Sequence, residues 1–174
     1  NKYGFIESPY RKIVDGKPNG TLLSSLNADG TGSGWELFLE NGRIGLFFSD
    51  AKSGVSARGV ANAVLAPGKW HHVLLSYDAA SMRSRSIDVF VDGKPAANSG
   101  ETSSFPNDIV PTAPLRLGSR HAATGIADPI KDSDVWVQDV RRYDRGFLVN
   151  DAKALADVIE AHTALSVAAD KRTA

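Results

Sequence analysis

The stretch Trp35–Phe48, WELFLENGRIGLFF, decides the fold. Its side chains alternate, sending Trp35, Leu37 and Leu39 to one side and Glu36, Phe38 and Glu40 to the other, which is the period of a strand with one buried face. Asn41-Gly42 then offers the two positive φ values that a type I′ hairpin turn demands, and Arg43–Phe48 returns antiparallel. Working outward, the same grammar recurs from Thr21 to Tyr143. Pro67-Gly68 opens a turn before KWHHVLLSYD (69–78), and the polar loop SMRSRS (81–86) leads to a strand carrying Ile87, Val89 and Val91. Asp92-Gly93 supplies a second hairpin turn, with Pro95 where an edge position tolerates it. Pro106, Pro111 and Pro114 punctuate a long loop before Leu115–Leu117, and VWVQDVRRY (135–143) is the last β signal. The tract VDGKP occurs twice, at Val14–Pro18 and Val91–Pro95. Two Asp-Gly turns account for it without a repeat architecture.

After Tyr143 the period changes. Leu148, Leu155, Val158, Ile159, His162 and Leu165 recur at three- and four-residue steps, which predicts a helix with Asn150 or Asp151 as its N-cap. The residues from Val167 onward are small and charged and are expected to fray. The organisation predicted is an atypical N-terminal segment over 1–20, a sandwich over 21–148, and a C-terminal helix with a frayed tail over 149–174.

Length and composition restrict the partners. The chain has 174 residues, 42% of them hydrophobic, which suits one domain with a buried core. Twenty Lys and Arg balance twenty Asp and Glu, so no counterion-release term favours nucleic acid or an anionic bilayer. No run approaches the roughly 20 apolar residues that span a membrane, so membrane insertion is not expected. The absence of cysteine removes disulfides, zinc–thiolate sites and a thiol nucleophile. A chain that starts at Asn1 and not at Met reads as an excised or processed piece.

The order GWELFLENGRIGLF (34–47), LAPGKWHHVLLSYD (65–78), IDVFVDGKPA (87–96), PLRLGSR (114–120) and VQDVRRYDRGF (137–147) resembles the laminin-G-like domains of the concanavalin A-like lectin/glucanase class. The resemblance spans about Thr21 to Ala156. It implies an all-β, antiparallel two-sheet β-sandwich of jelly-roll type with a closing helix. In finer detail, NDIVPTAPLRLGSRH (107–121) and the helix leading to DKRTA are similar to the accessory module of large planctomycete-type proteins that also carry cytochrome-c-like segments. The implied role is non-catalytic recognition of a glycan or a protein surface, within a larger extracytoplasmic polypeptide whose other domains are its neighbours. A structural spacer in a multi-domain enzyme or electron-transfer protein is the alternative. The opening strand of such domains is not recognisable in Asn1–Gly20. Residues 1–17, ending in RKIVDGK, instead resemble a short segment of the bacterial RNA polymerase β subunit; unless residues 1–20 complete the sheet, one edge of the sandwich lies open.

Glycoside hydrolysis is the third reading, and spacing counts against its local acid pairs. Glu36 and Glu40 share a strand face four residues apart, roughly 13 Å at ~3.3 Å per residue, beyond the separations that glycoside hydrolysis uses. Asp88 and Asp92 have the same spacing, and no G-x-S-x-G elbow is present. His71 and His72 are neighbours on a strand and should point to opposite faces, one to the core and one to the surface, so they cannot chelate one ion. His121 and His162 are isolated. For binding, Arg58, Arg120 and His121 are the candidates at loops rimming a concave face, with Trp136 on a strand face opposite Val135 and Val137, while Trp35 and Trp70 fit the core better. Arg141 and Tyr143, with Asp139 and Asp144, are expected to tie the last strand to its neighbours. Calcium is the one cofactor for which the loops offer oxygen ligands. Asp128, Asp132 and Asp134 offer an acidic loop, and Asn27–Thr31 begins like an EF-hand loop but has Phe38 where the twelfth-position glutamate belongs.

Overall fold

The computed structural model describes residues 2–9, 19–27, 32–78, 87–96, 98–101, 109–118, 137, 140–143 and 145–166. Among them, eleven strands form two antiparallel sheets and one helix closes the chain. The strands are β1 (Lys2–Pro9), β2 (Gly20–Ser24), β3 (Gly34–Glu40), β4 (Arg43–Asp50), β5 (Val55–Val64), β6 (His72–Asp78), β7 (Ile87–Val91), β8 (Lys94–Ala96), β9 (Asn98–Glu101), β10 (Arg116–Leu117) and β11 (Arg141–Tyr143). One sheet runs β10-β2-β3-β4-β5-β9 and the other β11-β1-β6-β7-β8. This is an all-β sandwich of two antiparallel sheets. No described helix is long and apolar enough to cross a membrane.

Alternation builds the core as the sequence implies. Trp35, Leu37 and Leu39 of β3, Ile44, Leu46 and Phe48 of β4, and Ala57 and Ala61 of β5 face Val73 and Leu75 of β6 and Val89 of β7 across the sandwich. Leu37, Ile44 and Leu75 are fully buried, each worth about 1.5–3 kcal/mol relative to exposure. Both hairpin turns carry the expected backbone, with φ +52° at Asn41 and +75° at Gly42, then +52° at Asp92 and +70° at Gly93.

Three expectations change. The first concerns the segment in which no opening strand was recognisable: Lys2–Pro9 is β1, an inner strand between β6 and β11. Its partners lie far along the chain, Gly4 opposite both Ser76 and Tyr143, so the pairing leaves no local signature, and a register shift after Phe5 breaks its alternation. The second concerns the histidines, since His71 and His72 are both buried. Strand alternation does not apply to His71 because it precedes β6 and is drawn into the β7–β8 turn. The third concerns the cap. Helix α1 (Val149–Ser166) begins two or three residues earlier than a cap at Asn150 or Asp151 implies, with Leu148 at the cap position. Leu148 accepts the first helical hydrogen bond from the Ala152 N–H at 3.0 Å, and the Asp151 carboxylate accepts the Leu148 N–H at 2.9 Å. Asp151 therefore works from inside the first turn, as the reciprocal half of a capping box. That hydrogen bond, helped by Arg145 against a desolvation cost, holds its carboxyl below the usual range.

α1 makes a third layer. Leu74 and Phe90 project from the outer face of the five-stranded sheet and are covered by Phe147 and Ala152, with Tyr143 and Leu155 at the margin. Tyr143 meets Phe147 edge-on, with ring centroids 4.9 Å apart. The Phe147 N–H donates to the buried Ser76 hydroxyl at 2.9 Å. Gly93 is the contact point of the β7–β8 turn with the helix, where a Cβ would stand 3.0 Å from Lys153 Cα and 3.1 Å from Ala156 Cβ.

Candidate functional site

The outer face of the six-stranded sheet carries the side chains that alternation turns away from the core. Register aligns them into one row: Arg116 opposite Ser24, Ser24 opposite Glu36, Glu36 opposite Phe47, and Phe47 opposite Arg58. A cleft of about 330 Å³ opens on this face, lined by Gly20, Thr21, Glu36, Phe38, Leu39, Phe47 and Arg58.

Each lining group has a local cause. Phe38 stands opposite Gly45 in register, and a Cβ at Gly45 would collide with the Phe38 ring. The ring therefore lies over the bare backbone of β4, an aromatic covering a cross-strand glycine. The Arg58 guanidinium sits 4.8 Å from the centroid of that ring, and its Nη2 donates to Glu40. Gly45, Phe38 and Arg58 thus stack outward from the sheet, with Glu40 fixing the topmost group. Glu36 points to the same outer face and is nonetheless only 3% exposed. The Thr21 hydroxyl donates to Glu36 Oε1, and Thr21 is buried as well. A register shift between Thr21 and Leu23 turns the Thr21 side chain outward while Leu22 and Leu23 both enter the core. Phe47, half-buried, lies between Glu36 and Arg58.

A second polar cluster lies on the other sheet. His71 Nδ1 is 2.9 Å from Asp92 Oδ2 and its Nε2 is 3.1 Å from the Ala66 carbonyl. Both ring nitrogens face acceptors, which suits the doubly protonated ring. The Asp92 hydrogen bond raises the His71 pKa above 6.5; burial opposes it and the Ala66 carbonyl adds to it. Burial works to raise Asp92, but the His71 hydrogen bond and the His72 N–H outweigh it and lower the carboxyl. The same carboxylate accepts the His72 N–H at 2.9 Å, while the Asp92 N–H donates to the His72 carbonyl at 2.8 Å. This cluster clamps the β7–β8 turn onto the start of β6. Asp50 is engaged similarly, accepting from Ser33, Lys52 and Ser53 at the β4–β5 turn.

Of the residues the sequence singled out, Arg58 lines the cleft. Arg120, His121 and Trp136, and the acidic residues Asp128, Asp132 and Asp134, lie outside the described residues, as do 28–31 of the Asn27–Thr31 loop. Among the described residues no three His, Asp or Glu side chains are grouped to hold a metal ion. Trp35 is in the core and Trp70 is half-buried. Glu36 and Glu40 share the outer face, but Glu40 is engaged by Arg58 and Glu36 accepts from Thr21. Sequence reasoning sought an aromatic platform among the tryptophans and missed Phe38 and Phe47. The signal available was a phenylalanine between two glutamates on the polar side of β3.

Residues 12–148 match the family model Laminin_G_3, described as the Concanavalin A-like lectin/glucanases superfamily. No curated protein sequence matches the chain. Among solved structures, the chain is similar to the CBM40 of Ruminococcus gnavus IT-sialidase bound to α2,3 sialyllactose. The TM-score is 0.66 at 18% identity, covering 89% of this chain and 83% of that one. It is also similar to the native heptameric SAP-like pentraxin of Limulus polyphemus, with TM-score 0.56, 11% identity and coverage of 87% and 69%. A third similarity is to botulinum neurotoxin type C, solved in a study of its dependence on two ganglioside molecules for cell entry. There the TM-score is 0.59 at 14% identity, with 90% of this chain and 36% of that one covered. At these identities the likeness is one of fold.

Proposed function

The chain belongs to the Concanavalin A-like lectin/glucanases superfamily, and on that premise we propose that it is a non-catalytic glycan-binding module whose ligand lies on the outer face of the six-stranded sheet. The observation that carries this reading is the row Glu36, Phe47, Arg58 across neighbouring strands at the cleft. A pyranose has an apolar C–H face and a rim of hydroxyls. Phe47 offers an apolar surface for the first, while a carboxyl acceptor on one side and a guanidinium donor on the other suit the second. Neighbouring strands are ~4.8 Å apart, so the two polar groups flank the ring at a spacing of roughly 10 Å. The similarity to a sialyllactose-bound CBM40 and to a ganglioside-dependent toxin supports a glycan as the ligand.

The non-catalytic clause rests on the carboxyl groups. Hydrolysis needs one as acid and a second as base or nucleophile, roughly 5–9.5 Å apart. Glu40 is committed to Arg58, and Glu36 stands roughly 13 Å along the strand from it. Arg120, His121 and Trp136 are proposed as outer rim contacts, and Asp128, Asp132 and Asp134 as a calcium loop. An extracytoplasmic setting within a larger polypeptide accords with such a role.

The test is a glycan array followed by titration calorimetry, with Ca²⁺ and with chelator. Binding that falls about tenfold in Phe47→Ala, equivalent to ~1.4 kcal/mol, is expected. Absence of binding to any glycan under both conditions would sink the proposal in favour of a spacer. Unchanged affinity in chelator would remove the calcium clause alone.

A further inference from the structure

We infer that the cleft selects uncharged glycans and rejects those bearing a carboxylate or sulfate, an inference that rests on the glycan-binding reading above. Recognition of an anionic sugar needs a cation with donors to spare and no competing anion beside it. Among the described residues lining the cleft, Arg58 is the one cation. Its charge is answered by Glu40, and its guanidinium carbon lies over the Phe38 ring. What remains to a ligand is donor capacity on a guanidinium already neutralised, which suits a hydroxyl oxygen.

The other polar group of the cleft has the opposite bias. Glu36, at 3% exposure, is an acceptor beneath the surface of the face. Its Oε1 already accepts from the Thr21 hydroxyl, and a ligand anion placed over it would meet carboxyl oxygens and not a cationic donor. Two further arginines share this outer face by register, Arg43 opposite Glu40 and Arg116 opposite Ser24. Both are exposed and neither lines the cleft. Cations in open solvent hold a surface anion weakly and lose it to salt. Among the described residues, the cleft is therefore built from an acceptor, an apolar ring and a donor paired with Glu40.

The experiment compares matched neutral, sialylated, uronic-acid and sulfated glycans on an array, with titration of the best matched pair, for the native chain and for Glu40→Gln. Glu40 lies outside the cleft lining, so its replacement removes the counter-charge of Arg58 while every lining residue keeps its identity. The native chain should prefer the neutral member of each pair by at least about tenfold. In Glu40→Gln that preference should shrink about five- to tenfold, through a gain for the anionic member at low salt. Equal or stronger binding of anionic glycans by the native chain overturns the inference, and so does a preference that Glu40→Gln leaves unmoved in a variant whose circular dichroism is native. Absence of binding to every glycan overturns the glycan-binding reading itself and this inference with it.

Discussion

Replacing Gly93 by alanine separates two effects that a turn glycine usually combines. Gly93 has φ +70°, and Gly68 has φ +74°, so an added Cβ meets nearly the same backbone strain at both. That strain costs about 1–2 kcal/mol for a residue other than glycine. The surroundings differ. Nothing stands within 4 Å of a Cβ at Gly68, whereas at Gly93 it would press on Lys153 Cα and Ala156 Cβ. One of those atoms is backbone, and neither can rotate aside. Either α1 rides outward by a few tenths of an ångström, loosening Ala152 and Phe147 on Leu74 and Phe90, or the turn twists and pulls Asp92 from His71. Overpacking of this kind costs about a further 1–3 kcal/mol. Gly93→Ala should therefore lose about 2–5 kcal/mol and Gly68→Ala about 1–2. For a domain of this size each kcal/mol is about 2–4 °C in Tm. Equilibrium urea unfolding and thermal melts of both variants, followed by far-ultraviolet circular dichroism, measure the difference. Equal losses in the two variants would refute the packing of α1 on the turn, since strain alone would then explain both.

Further outcomes follow from the same contacts. The folded pKa of His71 lies above its unfolded value, so its contribution to stability is fully present below pH 6.5 and is lost as pH rises through the raised value. Urea stability should accordingly decline on the alkaline side of pH 6.5 in the native chain and stay flatter in His71→Gln; parallel profiles would refute the clamp. Asp92 acts in the opposite window, its contribution present above the unfolded carboxylate range and lost as pH falls through its lowered value. Ser76→Ala leaves the buried Phe147 N–H without its acceptor and should cost about 1–3 kcal/mol with an unchanged urea m-value. Gly45→Ala drives the Phe38 ring off β4 and removes the surface under Arg58. It should weaken glycan binding more than it lowers Tm, as calorimetry and a melt would reveal.

What the sequence discloses, and what it hides, divides by the range of the forces involved. Alternation in Trp35–Phe48 and the positive φ of Asn41-Gly42 and Asp92-Gly93 are matters of neighbouring residues, and all appear in the structure. β1 depends on partners around residues 75 and 142, so nothing in KYGFIESP announces it. His71 reads as a strand residue but is positioned by Asp92 across a turn. Asp151 has the composition of a cap, while its place within the first turn follows from where the Phe147–Leu148 backbone is pinned. The cleft shows the same divide. The sequence offers Arg58 as a binding candidate on a loop, whereas it lies within strand β5. Its meeting with Phe38 and Glu40, and the burial of Glu36 beside Thr21, require the register of four strands and the shift in β2.

The inner position of β1 sets a clock on folding. Gly4 must find Ser76 and Tyr143, the second of them a contact that spans most of the chain, before the five-stranded sheet has its full width. Such closure is slow, in the range of milliseconds to seconds for all-β domains rich in distant pairings. Until it happens, β6 offers an unpaired edge to any other chain within reach. The hairpins of the opposite sheet, β3 with β4 above all, need only a two-residue turn and can form early. The face carrying the cleft is thus assembled from local pieces, and the sheet behind it is the part that a ribosome-bound or crowded chain must wait to finish.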